Sequence, residues 1–507
     1  MRPNGLSLHH QPVFHLGIIQ RQSIQTSLIT YVGAAFGYLN FVLLYPSLMA
    51  AEQVGLIRVL IALGVLLAQL SLLGSSLVLQ RYFPYFNNPS QKHFGFLSYA
   101  MRNALVGFAL FGVITWLCKP WIYLAFAERS PLLNDFYVHM YPLALLLMTF
   151  EVLFIYARSL LLTVVPVFIK ELLLRVMQTA AVLLYAWTEI DFEFFLLLFA
   201  GSYLLHFVAI AAYLALKRQL HLFAAINVSH VMPQRQLNRY GFFVYLVSLS
   251  AVYVANIDMI LLGAKAGLDD AAVYAVAFFI GTLVVIPSRA MNQVALPLVA
   301  DAWKNNDTKK IDRLYKQTAN NQLIVGGFMV LMILLNTRWV LDLLPPLYAK
   351  GEWVVYVIAL GRVLDMATGI NGEIILVSRH VRFNLVTNVV LMVIATVAVW
   401  FFIAWFGVLG VALAVSLAYV VYNVIRMIFL WQRYDMQPFT PSAAVTAATL
   451  FIIGGFCLWL PLALKSFTAA VLLSTIVALL YWGLVLRLRL SAELSALASR
   501  WSAGKLF

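Results

Sequence analysis

Charge is scarce in this chain. Asp, Glu, Lys and Arg make up 11% of its 507 residues, against about 25% in soluble domains. Cysteine is scarcer still. Cys118 and Cys457 stand alone in separate apolar runs, which excludes a disulfide framework and a thiolate metal site. No Walker loop, GxGxxG, HExxH or CxxC occurs, and no polar block is long enough to fold as a separate catalytic domain. His9, His10 and His15 have no partner ligands at a fixed helical spacing. An enzyme, a cofactor and a metal centre are therefore not expected. Neither is nucleic acid: the net charge of +14 comes without a basic, aromatic-interleaved module.

What is abundant is apolar surface. The chain is 63% hydrophobic, with a mean hydropathy of +0.90. No soluble fold hides this much, so the expected class is an all-α polytopic membrane protein. A bilayer core takes roughly 20 apolar residues per helix. On that ruler fourteen helices are expected, at about 27–49, 54–80, 94–118, 136–160, 163–188, 194–216, 241–263, 272–299, 318–341, 353–378, 383–405, 407–431, 443–461 and 468–488. The first run is too long for a signal segment and lacks a small-residue cleavage site, so it reads as a retained span.

Lys and Arg set the orientation. With the N-terminus inside, 22 of the 34, Arg426 among them, fall in cytoplasmic segments and seven in outer ones. That bias places both termini in the cytoplasm and brings the basic segments to anionic lipid.

The polar stretch Asp301–Asn321 contains Asn305-Asn306-Asp307-Thr308-Lys309-Lys310. It echoes Asn87-Asn88-Pro89-Ser90-Gln91-Lys92, 218 positions earlier. Asn40 and Asn256 are 216 apart, as are Tyr203 and Tyr419; Arg218 and Arg433 are 215 apart. These spacings point to a duplicated unit of six helices with parallel topology, the halves related by a pseudo-two-fold axis along the membrane normal. The expected organisation is a tail at 1–23, an N-lobe at 24–216, a cytoplasmic linker at 217–240 and a C-lobe at 241–431. Two extra helices follow at 443–488, then a tail at 489–507.

Charges inside these helices need partners or water, since each costs roughly 2.5–3.5 kcal/mol at mid-bilayer. Helix 2 carries Arg58, Gln69 and Gln80 at intervals of eleven, close to three turns, so they should share one face. That stripe reads as a cavity wall; the alternative is a buried hydrogen-bond seam. Helix 5 carries Lys170, Glu171 and Arg175, and Glu171 can pair with Arg175 four residues on. Glu151 on helix 4 is within reach of Lys170 or Arg175. Helix 10 carries Arg362, Asp365 and Glu373, and Arg289 lies on helix 8. Asn256 and Asp258 on helix 7 point in different directions. Each Arg–acid pair alone reads as a structural ion pair. As a set, with Arg58, Lys170 and Arg289 in excess, the charges suit an anionic ligand. Gly33 and Gly37 on helix 1 form a GxxxG motif for close helix packing.

Several stretches carry a resemblance. They are Gly17-Ile18-Ile19-Gln20-Arg21-Gln22-Ser23, the Ala51–Arg58 turn AEQVGLIR, Asn256-Ile257-Asp258, and Ser378-Arg379-His380-Val381-Arg382-Phe383-Asn384. The last is Trp405-Phe406-Gly407-Val408-Leu409-Gly410-Val411-Ala412, which looks like a "Y/F-G-x-x-G-x-A" helix start. With them the chain resembles the multidrug/oligosaccharidyl-lipid/polysaccharide (MOP) exporters, and most of all their polysaccharide flippases of the O-antigen type, which serve lipopolysaccharide assembly.

The resemblance implies two six-helix lobes around a central cavity and alternating access. The implied function is flipping of a polyprenyl-diphosphate-linked oligosaccharide. Lipid II flippases place arginines on helices 1, 2 and 8. Arg58 and Arg289 match helices 2 and 8, whereas helix 1 offers Asn40, a departure that argues against lipid II as cargo. The implied cavity set is Asn40, Arg58, Gln69, Lys170, Arg175, Asn256, Arg289 and Arg362, with Glu151, Asp258 and Glu373 as ion-coupling candidates. A monomer is expected, with lipid-linked oligosaccharide as its cargo and other polysaccharide-assembly proteins as partners. The competing functions are a MATE-like drug or cation antiporter and a membrane glycosyl-transfer enzyme (ligase or polymerase). The first would favour an acid-dominated cavity, and the second a large outer loop that this chain lacks.

Overall fold

The structure, a computed structural model, describes residues 16–188, 190–459, 467–493 and 495–496. Three expected features lie outside them: the tail up to residue 15, the end of helix 13 at Pro461 and the tail from 497 on.

Every element among the described residues is helical. The chain opens with α1 (Leu16–Tyr38), which continues as a π-helical segment, Leu39–Leu44, into α2 (Tyr45–Leu48). Then come α3 (Ala51–Ser71), α4 (Ser75–Phe86), α5 (Phe96–Leu117), α6 (Lys119–Ala127), α7 (Pro131–Phe136) and α8 (Met140–Ser159). Next, α9 (Val164–Phe168), a π segment Ile169–Leu173 and α10 (Leu174–Trp187) form one interrupted span, followed by α11 (Phe192–Leu216). The second half has α12 (Gln234–Val254), α13 (Ile257–Lys265), α14 (Leu268–Thr282), α15 (Ile286–Lys304), α16 (Thr308–Asp342), α17 (Glu352–Ala367) and α18 (Asn371–Leu376). It closes with α19 (Val381–Tyr434), α20 (Pro441–Trp459) and α21 (Phe467–Arg487).

Eleven helical stretches are long and apolar enough to cross a bilayer. They account for the fourteen expected spans once three departures are allowed for. Helices 5 and 10 are broken into shorter pieces, and helices 11 and 12 run together as α19. Inside α19, Gly407 stands at φ 55°, a conformation that a side chain resists and glycine accepts. The chain folds back there, so that Tyr422 Oη donates to Asn388 Oδ1 at 2.7 Å.

The breaks fall where the polar residues are. Asn40 lies in the π segment of helix 1, Lys170 and Glu171 in that of helix 5, and Asn256 between α12 and α13. Helix 10 breaks at residues 368–370, between Asp365 and Asn371, with Gly369 at φ 61°. π segments and interruptions free backbone groups, and in membrane helices they are tolerated where other groups re-satisfy them. Asn40 and Asn256, 216 positions apart in sequence, both sit at such irregularities.

One break changes an expectation. The run Leu72–Gly74, with Leu73 at φ 48° and Gly74 at φ 74°, separates α3 from α4. Gln80 is therefore not on the continuous face that carries Arg58 and Gln69, and it is exposed.

The chain forms two compact units that interleave in sequence. The first comprises Met1–Asn40, Ser75–Arg102 and Leu146–Leu237. In it the GxxxG motif brings α1 onto the π segment of helix 5: a Cβ at Gly33 would collide with the carbonyl oxygen of Glu171, and one at Gly37 would lie 3.1 Å from Arg175 Nε. The second comprises Phe41–Gly74, Asn103–Leu145 and Asn238–Phe507. There α3 packs on α14 with backbones in near contact, since a Cβ at Gly55 would overlap the carbonyl of Leu268. The core cluster of Ile324, Leu331, Leu335, Cys457, Val477 and Tyr481 ties α20 and α21 to α16, and Tyr481 Oη donates to the Ile324 carbonyl at 2.8 Å. Cys457 is buried there as a small hydrophobe.

Candidate functional site

The first unit gathers four of the expected residues, Asn40, Glu151, Lys170 and Arg175. Asn40 is fully buried. Its amide donates to the Arg175 carbonyl at 3.0 Å, and its Oδ1 accepts from Thr179 Oγ1 at 2.7 Å. Arg175 pairs with Glu171 at 3.2 Å, as their spacing of four predicts. Lys170 takes Glu151 as its partner at 3.0 Å, and its ammonium also rests 4.2 Å from the Phe154 ring centroid. His206 is buried beside this group, its ring stacked 3.5 Å from Phe150 and its Nε2 without a hydrogen bond. The result is two ion pairs and an amide, all held at a helix irregularity inside the apolar part of the chain.

The second unit holds the others. The Arg58 guanidinium lies 5.0 Å from the Phe41 ring centroid and 4.9 Å from that of Phe279, and the two rings stack on each other. Delocalised guanidinium charge suits such aromatic faces. Gln69 donates to Ser248 Oγ at 2.9 Å. Asp258, 4% exposed, accepts from Tyr274 Oη at 2.7 Å and from the Met259 backbone at 2.8 Å. The cations whose fields reach it are Arg362 and Arg58. Asn256 turns back on its own helix, donating to the Val252 carbonyl at 2.8 Å. Arg289 is exposed on α15, with no hydrogen bond or ion pair among the described residues.

The expected Arg362–Asp365 ion pair does not form. Arg362 instead faces Tyr419, 4.5 Å from its ring centroid, beside a void of about 10 Å³ lined by Phe278, Ser416 and Tyr419. Asp365 accepts from Asn423 Nδ2 at 2.6 Å, and Asn423 accepts from Asn371 at 2.9 Å. The break after Ala367 puts the Asn371 amide against Asn423 on α19, so that amides, rather than the arginine one turn back, satisfy the acid.

Two groups of polar residues escape a count of charges alone. Glu373 accepts from Asn292 at 2.9 Å, and Asn292 accepts from Gln322 at 2.6 Å, a relay across α18, α15 and α16. Arg426, 7% exposed, belongs to the interior and not to the cytoplasmic segment in which its position counted it. Its guanidinium donates to Asn384, and at 3.3 Å each to Thr387 and Asn388, with the Tyr422 ring centroid 3.9 Å away. A signal for this exists in the sequence: residues 384, 387 and 388 share one helical face.

No protein-family model matches the sequence, and no curated protein matches it. Solved structures do match in fold. An inward-facing multidrug-resistance MATE-family transporter of the MOP superfamily superposes with a TM-score of 0.67 at 13% identity, covering 82% of this chain and 98% of its own. The lipid II flippase MurJ, in an inward closed conformation, gives 0.70 at 12% identity, covering 92% of this chain and 100% of its own. An outward-facing MATE-family transporter gives 0.52 at 15% identity, with 82% and 95% covered. Taken with its apolar helices, this likeness makes the chain a multi-pass integral membrane protein with the architecture that MATE transporters and MurJ share.

Proposed function

We propose that the chain is a flippase that moves a polyprenyl-diphosphate-linked oligosaccharide across a bacterial inner membrane by alternating access, with both termini in the cytoplasm. The observation that carries this reading is Arg58. A cation inside a bilayer-spanning helix costs roughly 2.5–3.5 kcal/mol, and here it lies beside a stacked pair of aromatic rings, about equally far from each, within the field of Asp258. A fixed, preorganised guanidinium is suited to phosphate oxygens, which it meets as a planar fork. Arg289, exposed on α15 and without an ion pair among the described residues, supplies a second cation. The fold likeness to a lipid II flippase reaches 92% of the chain, against 82% for the MATE transporter. Asn40 and Asn256, 216 positions apart and each at a helix irregularity, support a repeat of the halves at 24–216 and 241–431.

In this mechanism Arg58 and Arg289 hold the diphosphate. Gln69 and Asn256 border the path and Arg362 adds positive charge to it; Asn40, Lys170 and Arg175, in the first unit, are further candidates, the last two with their charge balanced by Glu151 and Glu171. The acids Glu151, Asp258 and Glu373 exchange a coupling ion as access alternates. A second reading, a MATE-like antiporter, draws on Asp258 and Glu373, which are held by neutral hydrogen-bond donors rather than ion pairs. The two separate in a strain without its own flippase. Expression of this chain should return glycan to the cell surface and clear lipid-linked precursor from the inner leaflet. If precursor persists while cationic drugs are exported, the antiporter reading stands instead.

A further inference from the structure

A crevice of about 450 Å³ opens at the ends of three helices of the second unit. Its walls come from the end of α6, the end of α13 and the part of α19 before Gly407. The lining is apolar at Leu124, Ala125, Ala264, Ile403 and Ala404 and charged at Glu128, Arg129 and Lys265. The walls are built rather than loose. Ser130, fully buried, donates its hydroxyl to the Gly263 carbonyl at 2.5 Å. A Cβ at Gly267 would lie 3.0 Å from the Arg129 carbonyl oxygen, with Gly267 at φ 109°. The Arg129 backbone is therefore fixed against the end of helix 7.

Two of the three charged side chains on this wall are left for something else. Among the described residues neither Glu128 nor Arg129 makes a hydrogen bond or an ion pair, although they are adjacent and opposite in charge. The Lys265 ammonium rests 3.0 Å from the Trp400 ring centroid. Around the crevice Trp121, Trp405 and Phe406 are 71%, 69% and 53% exposed. Exposed aromatics at the ends of apolar spans mark the headgroup level of a bilayer, so a molecule entering this crevice comes from the headgroup layer.

We infer that the crevice binds the headgroup of a phosphoethanolamine lipid, its phosphate against Arg129 and Lys265 and its ammonium against Glu128. Guanidinium and ammonium donors suit the phosphate. The carboxylate then needs a cation with N–H donors. A phosphoglycerol headgroup offers none and leaves Glu128 unmatched beside its negative charge. A choline headgroup offers a cation without N–H donors, and the aromatic face that suits such cations, Trp400, is already covered by Lys265. The apolar part of the wall accommodates the glycerol and the start of the acyl chains. This site is separate from the residues assigned to the glycan cargo.

The test uses the full chain in detergent and native mass spectrometry, with phosphatidylethanolamine, phosphatidylcholine, phosphatidylglycerol and inorganic phosphate as separate probes. Wild type should retain phosphatidylethanolamine in preference to the other two lipids. Arg129→Ala with Lys265→Ala should lower that retention by about tenfold or more, the scale of one lost charge-assisted hydrogen bond. Glu128→Gln should keep lipid binding and lose the preference for ethanolamine over glycerol. Monodispersity on size exclusion checks folding, and Arg129→Gln alone replaces the double variant if that fails to fold. Unchanged retention in the cation variants, an intact ethanolamine preference in Glu128→Gln, or displacement of the lipid by inorganic phosphate would each overturn the assignment.

Discussion

Lys170 and Glu151 stand 3.0 Å apart between two apolar spans, their side chains 35% and 33% exposed. Replacing either alone strands the other. On insertion scales an unpaired charge at mid-bilayer costs roughly 2.5–3.5 kcal/mol. The partial exposure of this pair brings the figure to about 2 kcal/mol for Lys170→Met and about 2 kcal/mol for Glu151→Gln, a factor of about thirty in the folded population. Lys170→Met also forfeits the Phe154 ring, which adds about 0.5 kcal/mol. The double variant removes both charges together, and replacing a buried pair by neutral groups is often harmless. It should fall within about 1 kcal/mol of wild type, a coupling of about 3 kcal/mol. The assay is equilibrium unfolding of the four proteins in mixed micelles, with helicity as the signal. Additive single effects, with a coupling below about 0.5 kcal/mol, refute the reasoning: each residue would then be solvated on its own.

Three further outcomes follow from the geometry. Gly33→Ala should destabilise by about 1–3 kcal/mol, because its methyl group meets the Glu171 carbonyl; a melting temperature equal to wild type contradicts this. Arg426→Met should leave Asn384, Thr387 and Asn388 without their shared donor and cost about 2 kcal/mol or more; unfolding in mixed micelles measures it. His221, on the 217–233 segment outside the spans, has its pKa lowered from 6.5 by burial first, then by His93 and Lys92. A depressed folded value favours the neutral ring. Its contribution is therefore present above about pH 6.5 and is lost as pH falls through the folded value. Protection factors of residues 217–233 against hydrogen exchange should fall below pH 6.5 in wild type and stay flat in His221→Gln.

The apolar runs were legible because each helix must carry its own twenty residues of hydrocarbon contact, and the spans from 27–49 to 468–488 have counterparts in the fold. The Glu171–Arg175 pair was legible because its spacing is local. Partners across the fold were not. Nothing in the sequence tells Asp365 to choose Asn423, 58 positions away, over Arg362, three away. Breaks were also hidden. The interruptions at 255–256 and 169–173 have no proline or glycine within them, so composition gives no stop signal, and the polar residues themselves were the cue. Arg426 was misread because a positive-inside count assigns any arginine near a helix end to water. The amide relay of Asn292, Gln322 and Glu373 was missed because neutral amides carry no charge to count.

The proposed function turns on Arg58 and Arg289 binding a diphosphate cargo. The most direct test is appearance of glycan on the outer face in a flippase-deficient strain carrying Arg58→Ala or Arg289→Ala, with abundance measured in parallel. Each variant should reach the membrane at wild-type abundance and transport poorly, and Arg→Lys at either position should also lose much of the transport although the charge is kept. Normal transport by both alanine variants at wild-type abundance would contradict the proposal.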